Sequence, residues 1–134
     1  MKNIIANQVD YVPRHVTSHT YYPIIITPGE NNFTVLNDGT AAAPCRLSLT
    51  TINDIMELTV TGLSEEPLKI NNIMAGSLVI FDGINKQVTV NGLDALDRFN
   101  GWEFPKLQPG ANEITITAAS EMTLIEIEFQ PRFI

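Results

Sequence analysis

QPGANEITITA (residues 108–118) shows the pattern from which we predict the fold of this chain, and TPGENNFTVLN (residues 27–37) repeats it. In both, Pro-Gly-x-Asn is followed by apolar residues that alternate with polar ones. Proline presets φ, glycine supplies a turn, and an asparagine side chain can close that turn before a strand begins. Each copy is therefore predicted to start a β-strand, one near the beginning and one near the end of a single sandwich. The segments between them show no matching repeat, so a duplicated fold is not required.

The same period of two continues along most of the chain after residue 22. In the run MELTV, for example, Met56, Leu58 and Val60 are expected to face the core, with Glu57 and Thr59 facing water. Asn-Gly and Asp-Gly turns separate the runs. Roughly eight or nine short strands with turns about ten residues apart predict an all-β fold, an antiparallel β-sandwich of jelly-roll type. Only LDALDRF (93–99) could hold a helical turn, with Leu93, Leu96 and Phe99 on one side.

Two regions are predicted: an extended N-terminal arm over residues 1–21 and the β-sandwich domain over residues 22–134. The arm carries few charges, no glycine and no clear period. Val12 and Tyr22 each precede a proline, which favours extended geometry at both positions. The arm either lies along the domain or reaches a neighbouring subunit; alternatively, it adds an edge strand to its own sheet.

Composition excludes several classes of function. The net charge of -7 argues against a nucleic-acid binder, which needs clustered Lys and Arg, and against an anchor on anionic lipid. No apolar run is long enough to span a bilayer, and no signal peptide is visible, so we expect folding in the cytoplasm. Cys45 is the single cysteine and lies in an alternating run, which predicts a buried, inert thiol.

No motif of catalysis or metal binding stands out. His15 and His19 have the i, i+4 spacing of a helical zinc pair, but the residues around them do not favour a helix. Asp94, Asp97 and Glu103 are interpreted as solvated loop residues, not as a carboxylate site. The chain also lacks a Gly-x-Ser-x-Gly elbow and a phosphate-binding loop. We therefore expect no enzyme activity, no metal and no cofactor.

Trp102 is the one side chain that suggests ligand binding. This single tryptophan lies between an Asn-Gly turn and a proline, and a loop tryptophan can stack on a sugar ring. The alternative is that Trp102, Phe99 and Phe104 close the open end of the sandwich. Both interpretations remain open from the sequence.

Four stretches carry a resemblance to a known family. They are FTVLNDGTAAAPCRLSLT (33–50), LVIFDGINKQVTVNGLDAL (78–96), FPKLQPGANEITI (104–116) and IEIEFQPRFI (125–134). In order and spacing they resemble the C-terminal domain of the siphovirus distal tail protein family. The positions that match the family as fold-defining residues are Phe104, Pro105, Leu107, Pro109, Gly110, Asn112, Pro131 and Arg132.

The resemblance implies a galectin-like or carbohydrate-module-like sandwich, mounted outside a hexameric ring in the tail baseplate hub. It implies a virion structural protein, assembled in the host cytoplasm, that binds other virion proteins and forms a homo-oligomer. Family members usually carry an N-terminal belt domain, whereas only the short arm precedes the sandwich here. We therefore expect assembly through the arm, with Tyr11, Tyr21 and Tyr22 as its contacts, and through edge strands. The alternatives are a module that binds a host surface glycan through Trp102, and a capsid decoration or adaptor subunit.

Overall fold

The structure is a computed structural model that describes residues 19–20, 24–100 and 103–133. Within these residues the chain forms β-strands joined by turns, and its one helical segment is a 3₁₀ turn over Leu96–Arg98. The strands are β1 (His19–Thr20), β2 (Ile24–Ile26), β3 (Gly29–Asn37), β4 (Ala43–Thr51), β5 (Ile55–Thr61), β6 (Leu68–Ile73), β7 (Leu78–Asp82), β8 (Gln87–Val90), β9 (Leu93–Asp94), β10 (Phe99–Asn100), β11 (Lys106–Leu107), β12 (Gly110–Ala118) and β13 (Met122–Phe129). The described part contains no helix that is long and apolar enough to cross a membrane.

The strands form two antiparallel sheets. The first sheet has the order β1-β13-β4-β7-β8-β9, with β2 also pairing with β13 and β11 with β4. The second sheet has the order β10-β6-β5-β12-β3. The two sheets enclose one apolar core, so the predicted antiparallel β-sandwich is confirmed.

Alternation along the strands supplies that core. Leu47 and Leu49 of β4 and Phe81 of β7 are fully buried from the first sheet, and Ile114 and Ile116 of β12 from the second. Because successive side chains of a strand point to opposite faces, the residues between them are free to be polar. The predicted burial of Cys45 is confirmed as well, since its side chain has no exposed surface.

Each Pro-Gly-x-Asn forms the same corner, as the sequence predicts. Gly29 and Gly110 have φ of 102° and 92°, and each is the first residue of its strand. The Oδ1 atom of Asn31 accepts a hydrogen bond from the amide of Thr27 at 3.0 Å, and its Nδ2 donates to the Thr27 carbonyl at 2.8 Å. Asn112 makes the equivalent pair with Gln108, both at 2.9 Å. We call these two turns the asparagine corners.

The asparagine corners also tie β3 to β12. Asn31 Nδ2 donates to the carbonyl of Ile116 at 3.2 Å, and Asn112 Nδ2 donates to the carbonyl of Val35 at 3.2 Å. These two strands pair without interruption from Gly29 opposite Ala118 to Asn37 opposite Gly110. The corners therefore lie at opposite ends of one ladder, and each fixes both its own turn and the neighbouring strand.

Asn112→Ala is expected to cost about 2–3 kcal/mol of unfolding free energy, because it leaves main-chain groups near the core without partners. Asn31→Ala is the matched control: it removes the same bonds from a corner that is only half-buried, and is expected to cost about 1 kcal/mol. Urea unfolding of both variants measures the difference. Equal losses would show that burial does not set the strength of these corners.

The expected inward position of Met56 is wrong. Its side chain is 76% exposed, whereas Ile55 and Leu58 on either side are buried. The neighbouring strand β6 has the same break in alternation, with Asn71 and Asn72 exposed between buried Ile70 and Ile73, and Asn72 has a φ of 59°. A local bend in both paired strands thus places two successive residues outside.

The helical turn predicted over 93–99 is shorter than expected. Leu93 belongs to β9 and is 72% exposed, and Leu96, at the start of the 3₁₀ turn, is 44% exposed. Phe99 belongs to β10 and packs against the core. The three residues therefore do not form one buried face, because the chain changes from strand to turn and back to strand between them.

Candidate assembly surfaces

The predicted contact residues Tyr11, Tyr21, Tyr22 and Trp102 lie outside the described residues. His19 and Thr20, within the predicted arm, form β1 and pair with Phe129 and Glu128 of β13. This part of the predicted arm therefore adds a short edge strand to the first sheet.

Aromatic rings gather where β7 and β10 approach the segment before β11. The rings of Phe99 and Phe104 stack with centroids 6.0 Å apart at 22°, and Phe99 lies 6.0 Å from the buried Phe81 at 57°. The ammonium of Lys86 lies 5.9 Å from the Phe104 centroid, a cation–π distance. Phe99 and Phe104 thus pack against the core. This packing agrees with the interpretation in which these two rings and Trp102 close the open end of the sandwich.

Three charged side chains cross the outer face of the first sheet. Arg46 on β4 lies between Glu128 on β13 and Asp82 on β7, with Nη1–Oε1 at 2.8 Å and Nε–Oδ2 at 3.2 Å. Asp82 also accepts hydrogen bonds at 3.0 Å from the amides of Ile84 and Asn85, which closes the β7–β8 turn. Burial opposes the charge on Asp82, but the hydrogen bonds from Asn85 and Arg46 outweigh it and lower the pKa of this carboxyl.

We expect the stabilising contribution of Asp82 to disappear in acid. Because its pKa is lower in the folded than in the unfolded chain, the ionised carboxylate favours folding above the unfolded pKa of about 4, and this advantage is lost as pH falls through the folded pKa. The Asp82→Asn variant lacks this titration. Its stability deficit relative to the parent chain should therefore shrink between pH 7 and pH 2, as measured by thermal unfolding. A deficit that does not change with pH would contradict this account.

Other titratable side chains serve local turns or the core. Asp94 accepts a hydrogen bond from the amide of Leu96 at 3.1 Å, and Glu103 from the amide of Glu65 at 3.4 Å. Among the described residues, no three His, Cys, Asp or Glu side chains gather as a metal site would require. Burial raises the pKa of the Cys45 thiol to about 12, so this thiol is protonated at neutral pH. His15 lies outside the described residues.

The outer face of the second sheet carries three rows of polar side chains. Glu30, Thr117, Thr59, Lys69 and Asn100 face one another in a single row across its five strands. A second row contains a hydrogen bond of 2.6 Å from Thr115 Oγ1 to Asn32 Oδ1, and a third contains a bond of 3.0 Å from Thr34 Oγ1 to Glu113 Oε2. Hydroxyl, amide and charged groups therefore form three neighbouring rows on this sheet, which also exposes the apolar side chains of Leu36 and Met56.

The sheet edges differ in length. The described edge strands of the first sheet, β1, β2 and β9, have two or three residues each, and β10 at one edge of the second sheet has two. The other edge of the second sheet is β3, with nine residues. The sequence predicts β3 as a strand but not as an edge, because its local pattern does not say which strands pair with it.

The stretches that carried the family resemblance contact one another in the fold. The carbonyl of Pro105 accepts a hydrogen bond from the amide of Cys45 at 3.1 Å, and that of Leu107 from Asn37 Nδ2 at 3.1 Å. The carbonyl of Arg132 accepts from the amide of Thr40 at 2.8 Å. Residues far apart in the sequence are thus joined through their main-chain carbonyls, in keeping with the fold-defining role that the resemblance implies for them.

Comparison with solved structures supports the fold. The chain is similar to SPP1 Dit, described as a paradigm of hub adsorption apparatus in Gram-positive-infecting phages, with a TM-score of 0.58 and 12% identity. The similarity covers 84% of this chain and 48% of that chain, so this chain spans about half of SPP1 Dit. A Cry1Da tryptic core variant from Bacillus thuringiensis matches with a TM-score of 0.31 and 10% identity, over 86% of this chain and 17% of that chain. This second likeness is too weak to support an argument.

Comparison of sequences gives the family directly. Among curated proteins none matches the chain. Residues 38–133, well over half of the chain, match the family described as siphovirus-type tail component, C-terminal domain. This range includes or overlaps all four stretches on which the resemblance rested, so the resemblance is confirmed. The chain belongs to the family of siphovirus-type tail components, in which it corresponds to the C-terminal domain.

Proposed function

We propose that the chain is a structural component of the distal tail or baseplate hub, acting through contacts with other virion proteins. The observation that carries this proposal is the family match over residues 38–133. The fold shared with SPP1 Dit, a protein of hub adsorption apparatus, supports a position at the same place in the virion. The role is structural and not enzymatic, and the protein is assembled into the virion from the host cytoplasm.

The sandwich suits a part that must hold a fixed shape. In each sheet, the long strand that comes first in the sequence pairs with the long strand that comes last. These pairs are β4 with β13 in the first sheet and β3 with β12 in the second. Arg46 links three strands of the first sheet by ion pairs, and the asparagine corners fasten both ends of the β3–β12 ladder. Such a unit can present its edges and outer faces to neighbouring subunits without rearrangement.

The position in the virion is tested by immunogold labelling of purified particles with antibodies against the chain. We expect label at the distal end of the tail and none on the capsid. Antibody absorbed beforehand with the purified chain is the control. Label on the capsid would overturn the proposal and favour a decoration or adaptor subunit.

The arm and the adjoining Tyr22 are proposed to supply a contact with another virion protein through Tyr11, Tyr21 and Tyr22. Replacing the three tyrosines with serine should remove the chain from purified particles while its solution fold, measured by circular dichroism, stays intact. The Phe133→Ser variant is a matched control, because Phe133 is an exposed ring outside the arm, 67% accessible. Normal incorporation of the triple variant would remove the arm from the assembly contacts.

A glycan-binding role is the second candidate, and the polar rows on the outer face of the second sheet favour it. Asn100 lies at the margin of this face and is the last described residue before Trp102. Under this proposal Trp102→Ala abolishes binding on an array of bacterial surface glycans and leaves the melting temperature unchanged. A loss of about 3–5 kcal/mol of stability would instead assign Trp102 to packing with Phe99 and Phe104.

A further inference from the structure

Strand β3 has the features of an unprotected sheet edge. It is nine residues long and pairs along its whole length with β12, without a bulge. It contains no proline, lysine or arginine, the residues that commonly stop an edge from pairing with another chain. The opposite edge of the same sheet is only two residues long. Among the described strands, β3 therefore offers the longest edge for a further strand.

The asparagine corners show which main-chain groups of β3 face that edge. Asn31 Nδ2 reaches the carbonyl of Ile116, and Asn112 Nδ2 reaches the carbonyl of Val35, so these carbonyls point into the β3–β12 ladder. In an antiparallel ladder such residues alternate with residues whose amide and carbonyl point away from the partner. The main-chain groups of Glu30, Asn32 and Thr34 consequently point away from β12, toward the edge.

We propose that β3 joins two copies of this chain, antiparallel, around a two-fold axis at Asn32. This inference deepens the proposed assembly role and rests on it. In this register Asn32 lies opposite Asn32 of the second copy, and Glu30 lies opposite Thr34 of the second copy. The paired segment ends at Val35. Leu36 already has an interaction and takes no part in the proposed pairing.

The side chains of β3 favour a second copy of the chain as the occupant. Glu30 is the single charged residue of the strand, and the two-fold register sets it against a hydroxyl group instead of another carboxylate. Asn31 and Phe33 face the core side of the sheet, and the register sets each against the other. Phe33 is half-buried and packs on the core, so the incoming strand covers its exposed part. The result is one continuous sheet across the dimer, an isologous interface.

The test is the mass of the full chain by light scattering and sedimentation over a wide concentration series. The parent chain should pass from 14.8 kDa to twice that mass as concentration rises. Thr34→Pro removes an edge amide donor without removing a main-chain bond to β12, although it does lose the Thr34 hydroxyl's bond to Glu113, and it should raise the dimer dissociation constant by about tenfold or more. Thr34→Val is the matched control, since it loses the hydroxyl and keeps the amide, and it should dimerise like the parent.

A second pair of variants keeps the test decisive if proline disturbs the fold. Asn32→Lys places two ammonium groups opposite each other at the axis and should hold the chain at monomer mass, with partial recovery in high salt. Asn32→Gln should still dimerise. A parent chain that stays monomeric, or an Asn32→Lys variant that dimerises normally, overturns the inference. This test and the immunogold test can fail independently. Antibody can detect a monomeric chain at the tail tip, and it can equally detect a dimeric chain on the capsid.

Discussion

Gly62→Ala is expected to destabilise the sandwich by about 3–5 kcal/mol, a large part of the stability of a domain of this size. Gly62 follows β5 with a φ of 101°, which side chains rarely tolerate. A Cβ atom here would lie 2.1 Å from the carbonyl oxygen of Glu113 and 3.2 Å from the Cα of Ile114. Both are main-chain atoms of β12, a central strand of the second sheet, so the clash can be relieved only by moving the backbone of β12 or of the turn that carries Gly62.

Gly76→Ala is the control for the backbone angle alone. Gly76 has a φ of 74°, but a Cβ atom there would meet nothing within 4 Å. This variant is expected to lose about 1–2 kcal/mol. Urea unfolding of the two variants separates the cost of the angle from the cost of the clash. Equal midpoints would show that β12 shifts at little cost, which would contradict the account of this contact.

Phe81→Ala is expected to cost about 3–5 kcal/mol, because it opens a cavity between the sheets. Phe81 is fully buried on β7 and contacts the ring of Phe99. The loss has two parts: the apolar surface that is no longer buried, and the contacts that neighbouring side chains lose around the empty volume. Thermal unfolding followed by circular dichroism measures the effect.

Phe104→Ala provides the comparison within the same aromatic group. Phe104 is half-buried and stacks on Phe99 from the outside, beneath the ammonium of Lys86. Because water can fill the space that it leaves, we expect a loss of about 1 kcal/mol. A larger loss for Phe104→Ala than for Phe81→Ala would mean that this ring, and not Phe81, holds the two sheets together at this end.

The features that the sequence predicted well are the local ones. A Pro-Gly-x-Asn corner depends on residues within four positions of one another, and both asparagines make the expected turn. The burial of Cys45 follows from period-two alternation, which is also a local property. The family assignment could likewise be made from the sequence, because four stretches in a fixed order are together more specific than any one of them.

The features that the sequence missed depend on partners far along the chain. Met56 is exposed because β5 and β6 bend together near Asn72, and no residue of the run MELTV reveals that bend. Among the described strands, β3 pairs with β12 alone, and the other neighbour of β12 is β5, so β3 lies at the edge of the sheet. Gln-Pro-Gly and Thr-Pro-Gly predict where the two strands begin, but not that they pair with each other. Assembly surfaces are therefore harder to predict from one sequence than the fold that carries them.

The β3–β12 ladder also determines when this protein can fold. Asn31 bonds to a residue 85 positions ahead of it, and Asn112 to one 77 positions behind it. A ribosome therefore releases β3 long before its partner has been synthesised, and β4 must similarly await β13. Contacts of such high sequence separation make folding slow, in the range of milliseconds to seconds for similar all-β domains. The nascent chain closes its sandwich only after the C-terminal strands have emerged, so a ribosome that stalls before β12 leaves a chain that cannot complete either sheet.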